Sequence, residues 1–98
     1  MFICFAEYRI RPECREQYEQ ETERLMKETG EGMRLYEGTD QPCLFVEVWS
    51  ASCAEEAERI KKERRSERSS WAVLSQWIDG GEAKLHIWTF KPAHVSSS

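Results

Sequence analysis

The order in which this chain switches between two-residue and helical periodicity constrains its fold more than any other feature. Phe2 to Ile10 is rich in aromatic and branched residues and reads as a strand. Its alternation places Phe2, Cys4, Ala6 and Tyr8 on one face and Ile3, Phe5, Glu7 and Arg9 on the other. Pro12 then stands where a proline opens a helix, because its missing N–H is not needed in the first turn. Cys14, Tyr18, Thr22, Leu25 and Met26 recur at helical spacing until Gly30 and Gly32 stop the run. Met33 to Glu37 reads as a second strand. The turn formers Gly38 to Pro42 lead into a third, Cys43 to Trp49, so that the two form a hairpin. Ser52 followed by Glu55 matches a capping box and predicts a second helix over residues 53–68, with a thin apolar stripe of Ala54, Ala57 and Ile60. Trp71, Leu74, Trp77 and Ile78 predict a short extra helix ending at Gly80 and Gly81. Glu82 to Lys91 reads as the last strand, halted by Pro92.

Strand, helix, strand, strand, helix, strand is the order of the ferredoxin-like βαββαβ arrangement. The expectation is an α+β fold over residues 1–92, with a flexible tail at 93–98. Right-handed crossovers put both helices on one face of a four-stranded antiparallel sheet and leave the other face bare. Compact aliphatics (Leu44, Val46, Val48, Leu85, Ile87) suit the helix-covered side. That assignment turns Phe5, Phe45, Trp49, Trp88 and Phe90 outward with Glu7, Glu47 and His86. Five aromatics at roughly 150–250 Å² each amount to about 1,000 Å². Soluble monomers rarely expose an apolar patch above about 300–600 Å², whereas a stable interface buries roughly 800 Å² per partner. A homodimer with sheets packed face to face is therefore expected, through those five aromatics. A chain of 98 residues, which buries only about 60–65% of its unfolded surface alone, gains its missing core that way.

Composition removes several classes of function. The apolar run that opens the chain at Met1 is broken by Glu7, too short to cross a membrane. No basic segment followed by an apolar one marks an export signal, so a cytoplasmic protein is expected. Cysteines at 4, 14, 43 and 53 form no C-x-x-C pair, and four reduced thiols are the default. His86 and His94 are not spaced with any cysteine pair, so no metal site is expected. A net charge of −4 opposes a general nucleic-acid binder. Phe45-Val46-Glu47 faintly matches the third-strand signature of an RNA-recognition motif. Cys43 and Pro42, however, stand where an aromatic and a glycine belong.

Phe5-Ala6-Glu7-Tyr8-Arg9-Ile10-Arg11-Pro12, a strand running into a proline-started helix, and the strand Leu44-Phe45-Val46-Glu47-Val48-Trp49-Ser50 carry a resemblance to a known family. With them the chain, over residues 1 to about 92, resembles the dimeric α+β barrel superfamily, and within it the antibiotic-biosynthesis-monooxygenase-like proteins. The resemblance implies a homodimer and, among the chemistries of that superfamily, cofactor-free oxygenation of polycyclic phenols, haem degradation, decarboxylation or isomerisation. Haem-degrading members look for an asparagine late in strand one, a tryptophan, and a histidine on the second helical region. This chain has no asparagine, Tyr8 lies near the first position, Trp71 can stand for the tryptophan, and residues 53–78 hold no histidine. Many relatives also carry a histidine early in the second helix, where this chain has Glu55, Glu56 and Glu58. No cofactor is therefore expected. The resemblance implies a cofactor-free monooxygenase-like protein acting on a hydrophobic or aromatic compound, or a non-catalytic homodimeric ligand-binding or stress-associated protein of the same fold.

His86, Tyr8 and Glu47 are the candidate catalytic residues. An imidazole, with an ordinary pKa near 6.5, suits proton abstraction from a phenol. Glu7 and Glu47 are carboxylates inside central strands, which seldom go without partners; they are expected to pair with Arg9 or Arg34 at the interface, or to line a polar cavity. Trp71, Trp77 and Tyr36, with Tyr8, are candidate walls of an aromatic pocket, a pattern that core packing also produces. Arg59 to Arg68 holds six basic residues against two acidic ones and reads as a solvated face or a site for an acidic ligand.

Overall fold

The computed structural model describes residues 1–94; from residue 95 onward the expected tail lies outside the described residues. Four strands, β1 (Phe2–Arg9), β2 (Met33–Glu37), β3 (Leu44–Ala51) and β4 (His86–Phe90), form one antiparallel sheet in the order β2-β3-β1-β4. Helix α1 (Arg15–Thr29) follows a 3-10 turn opened by Pro12, and turns Tyr18, Thr22 and Leu25 inward. It stops at Gly30, whose φ of 83° is readily available only to glycine. Helix α2 (Ala54–Arg65) is shorter than its expected span and buries Ala57 and Arg64. Ser52 does not cap it: Cys53 occupies the cap without a side-chain bond, and the Ser52 hydroxyl donates to Glu56 at 2.6 Å. The tryptophan-rich segment is a 3-10 helix, Ser70–Trp77, capped by Ser69. A further 3-10 turn over Gly81–Lys84 delays the last strand to His86. The ferredoxin-like α+β architecture is therefore present.

One face assignment is corrected. Residues directly opposed in an antiparallel pair share a face, and Cys4 opposes Trp49, Ala6 opposes Glu47 and Tyr8 opposes Phe45. Phe45, Glu47 and Trp49 thus lie under the helices, and Leu44, Val46 and Val48 lie on the bare face. The reason is volume. β1 offers only Cys4 and Ala6 at the middle of the covered face, and the large β3 side chains fill the space that leaves. Phe45 is buried with its ring centroid 4.4 Å from that of Tyr18. Phe45 and Trp49 consequently leave the expected interface. Phe5, Trp88 and Phe90 stay on the bare face, where the Phe5 ring lies 5.9 and 5.8 Å from the other two. Trp88 is 43% and Phe90 47% exposed.

The β2–β3 hairpin is held from α1. Arg15 grips Glu37 through Nη1 and Nη2 at 2.6 and 2.8 Å, and Glu37 also accepts the Cys43 N–H at 2.9 Å. Cys43 has φ of 68°, a left-handed conformation costly for a residue with a Cβ. The Glu37 contact helps to hold it there. Hydrogen bonds from Arg15, then from the Cys43 backbone, lower the Glu37 carboxyl from the ordinary 4.5 to about 2. A depressed carboxyl stabilises the fold above its unfolded pKa, and that contribution is lost as pH falls from 4.5 toward 2. In acid titrations of thermal stability, Glu37→Gln is expected to lower Tm at pH 7 and to flatten the decline below about pH 4.5. An unchanged acid limb would show that this carboxylate does not hold the hairpin.

Candidate functional site

Glu47 sits mid-strand with no exposed surface, and burial of a carboxylate is tolerated only when it is paired and hydrogen-bonded. Four donors meet it. Arg64, in the last turn of α2, reaches down with Nε to Oε1 at 2.7 Å and Nη2 to Oε2 at 2.8 Å, a bidentate pair. The Tyr8 hydroxyl donates to Oε2 at 2.6 Å, and the Trp49 indole N–H donates to Oε1 at 2.9 Å. Tyr18 extends the network from α1, its hydroxyl 2.8 Å from that of Tyr8. Ala6, opposite Glu47, leaves the room that the guanidinium needs.

Burial, and then the neighbouring Glu47 charge, hold the Tyr8 phenol well above its ordinary pKa. Burial, against the Tyr8 hydrogen bond and aided by the Glu47 charge, raises Tyr18 as well, and burial and then Glu47 lift the Cys4 thiol to about 11. For Arg64, burial pulls downward, but the Glu47 hydrogen bonds and charge outweigh it and the net shift is upward. Arg64 is 3% exposed, and its Nη1 makes no hydrogen bond. The guanidinium carbon instead lies 5.8 Å from the Trp71 ring centroid and 6.0 Å from that of Tyr8, within cation–π range.

Above this network lies a cavity of about 300 Å³ walled by Trp49, Trp71, Leu25, Ile60 and Arg64, with Thr29, Ser69, Glu28 and Glu63 among its polar lining. Trp49 and Trp71 meet edge to face, centroids 5.2 Å apart, and the Trp71 indole N–H donates to Thr29 Oγ1 at 3.2 Å. The floor is charged but internally neutralised, and the walls are aromatic.

The catalytic candidates separate. Tyr8 and Glu47 are in direct contact, whereas His86 lies on the bare side of the sheet, opposite Glu7 and stacked on Trp88 with centroids 5.8 Å apart. His86 borders a different hollow, of about 470 Å³, with Glu7, Arg9, Asp79 and Lys84. Trp71 walls the main cavity. Trp77 packs against the core away from its lining, and Tyr36 is an exposed residue of the bare face. Neither Arg9 nor Arg34 serves Glu47; Arg9 is bonded to Gln41 and Pro42. Arg64, Trp49 and Tyr18 are the residues that sequence reasoning missed or placed elsewhere. A signal for Arg64 existed: at three- and four-residue spacing the stripe Ala57, Ile60 continues to position 64, so a basic residue occupies the inward face.

No protein-family model and no curated protein matches the chain. Among solved structures it is similar to an antibiotic biosynthesis monooxygenase, with TM-score 0.71 and 14% identity over 96% of this chain and 100% of that one. It is also similar to a conserved protein from Methanosarcina mazei Go1, with TM-score 0.65 and 16% identity over 92% of this chain and 90% of that one. A protein from Agrobacterium tumefaciens matches with TM-score 0.64 and 18% identity, over 99% of this chain and 98% of the other. The chain therefore has the α+β fold of the antibiotic-biosynthesis-monooxygenase-like proteins. No helix among the described residues is long and apolar enough to cross a membrane.

Removing one member of a buried ion pair strands the other charge, at about 3–5 kcal/mol, while removing both can be nearly neutral. Glu47→Leu and Arg64→Met are each expected to destabilise by that amount in urea titrations, and the double substitution by clearly less than their sum. Additive losses would mean that the two side chains do not depend on each other.

Proposed function

We propose that this protein is a homodimeric small-molecule protein that takes a hydrophobic, aromatic compound into the cavity lined by Trp49, Trp71, Leu25 and Ile60. The observation that carries the reading is that cavity, about 300 Å³ in volume, set over a guanidinium whose charge is already matched by Glu47. Trp49 and Trp71, packed on each other, form an aromatic wall against the ring system; Arg64 lies beneath it, and Glu47 and Tyr8 act as positioning residues that hold Arg64 in place. The likeness in fold to an antibiotic biosynthesis monooxygenase favours cofactor-free oxygenation as the chemistry, in which a deprotonated aromatic substrate itself reduces dioxygen. Arg64 would then stabilise the negative charge developing on the substrate oxygen.

A second reading, binding without catalysis, is favoured by one feature of the network. Both Glu47 oxygens are taken up by Tyr8, Trp49 and Arg64, and His86 lies across the sheet. Oxygen uptake with a polycyclic phenol decides between the two. Substrate-dependent consumption supports oxygenation; ligand binding with none leaves the binding protein.

The second copy is assigned to the bare sheet face. Ile3, Phe5, Leu44, Val46, Val48, Trp88 and Phe90 are all exposed or half-buried there, a contiguous apolar patch of the kind that marks an interaction surface. No cofactor enters this reading, and a cytoplasmic location is proposed with it.

Titration with 2-naphthol is expected to quench tryptophan fluorescence saturably, and Trp71→Ala to weaken that binding by about tenfold, the loss of an aromatic wall. No saturable quenching by this or larger phenols would refute the cavity as a binding site.

A further inference from the structure

The bare sheet face carries one carboxylate at its centre. Glu7, on the central strand β1, opposes Val46 of β3 on one side and His86 of β4 on the other. Phe5 precedes it on the same face, in contact with Trp88 and Phe90. His86 is exposed and stacks flat on Trp88, 14° from coplanar. Neither Glu7 nor His86 forms an ion pair among the described residues. In a free chain this arrangement costs little, because water solvates both groups.

Covering the face changes that. A carboxylate taken from water among Phe5, Val46 and Trp88 needs a cation, and removing its solvation is expensive without one. Arg9, two residues along the same face, already donates to Gln41 at 2.8 Å and to Pro42 O at 3.2 Å. Arg34 lies on the outer strand β2, beyond β3. Lys84 and Asp79 border the hollow beside Glu7 and His86 as one charge of each sign. The group directly across the strand is the imidazole, the one side chain whose ordinary titration falls between pH 5 and 8. The hollow of about 470 Å³ beside the two gives water, and hence protons, access to them.

We propose that protonation of His86 tightens the association of two copies through this face, by pairing with Glu7 and removing the cost of covering a lone carboxylate. The inference rests on the homodimer reading above and adds its regulation. The sign follows from linkage: association favours the protonated imidazole beside Glu7, so the dimer takes up protons and strengthens as pH falls. Two-fold symmetry supplies two such pairs per dimer, which doubles the effect.

The test is sedimentation equilibrium at pH 8, 7 and 6 on the wild type, His86→Gln, Glu7→Gln and, as a control, His94→Gln. For the wild type and the control, the dimer dissociation constant is expected to fall by about tenfold or more from pH 8 to pH 6. His86→Gln should abolish that dependence. Glu7→Gln should reverse it, because protonation then buries an unmatched cation. A dimer whose affinity is independent of pH, or whose pH dependence survives His86→Gln, overturns the proton link and leaves the homodimer intact. A single chain at every pH and at high micromolar concentration overturns the homodimer and the link together.

Discussion

The bidentate contact between Glu47 and Arg64 is the constraint on which the covered side of this molecule depends. It ties the centre of β3 to the last turn of α2, two elements with few other polar links. Once a carboxylate is buried at that depth, the positions around it are no longer free. Ala6 must be small to admit the guanidinium, and Tyr8 and Trp49 must carry donors. Trp71 and Tyr8 present faces to the charge that Glu47 does not reach. A buried ion pair adds little net stability over an apolar pair of the same shape. Here it anchors the last turn of α2 to the sheet at the floor of the cavity between α2, α1 and the tryptophan segment.

The sheet has two faces with different tasks. The covered face assembles the polar network and the aromatic cavity. The bare face carries aliphatic and aromatic side chains interrupted by Glu7 and His86. The antibiotic-biosynthesis-monooxygenase-like fold accommodates both, because one sheet supports a site above and an apolar surface below. A ligand held over Arg64 and a second copy held against Phe5 and Trp88 would be separated by the thickness of that sheet.

Element order, the proline-started helix and the hairpin were legible because they depend on local chemistry: Pro12, Gly30, the turn at 38–42 and the alternation in β1 and β3. The facing of β3 was not, because alternation says which residues share a side and nothing about which side is covered. Only pairing with β1 settles that, and it sends the bulky Phe45 and Trp49 inward over Cys4 and Ala6. The site was half legible. Glu47 and Tyr8 stood out as polar groups in central strands, but their partner is Arg64, 17 residues from Glu47, hidden in a run whose other members are largely solvated. His86 was grouped with Glu47 by the same mistaken facing, and the structure returns it to Glu7.

In the proposed function two copies form the working unit, and each offers a cavity to an aromatic molecule. Native mass spectrometry with added 2-naphthol tests both parts at once. The expected result is a species of twice the 11.6 kDa chain mass carrying up to two ligands. A single chain without adducts, under conditions that preserve known dimers, would contradict it.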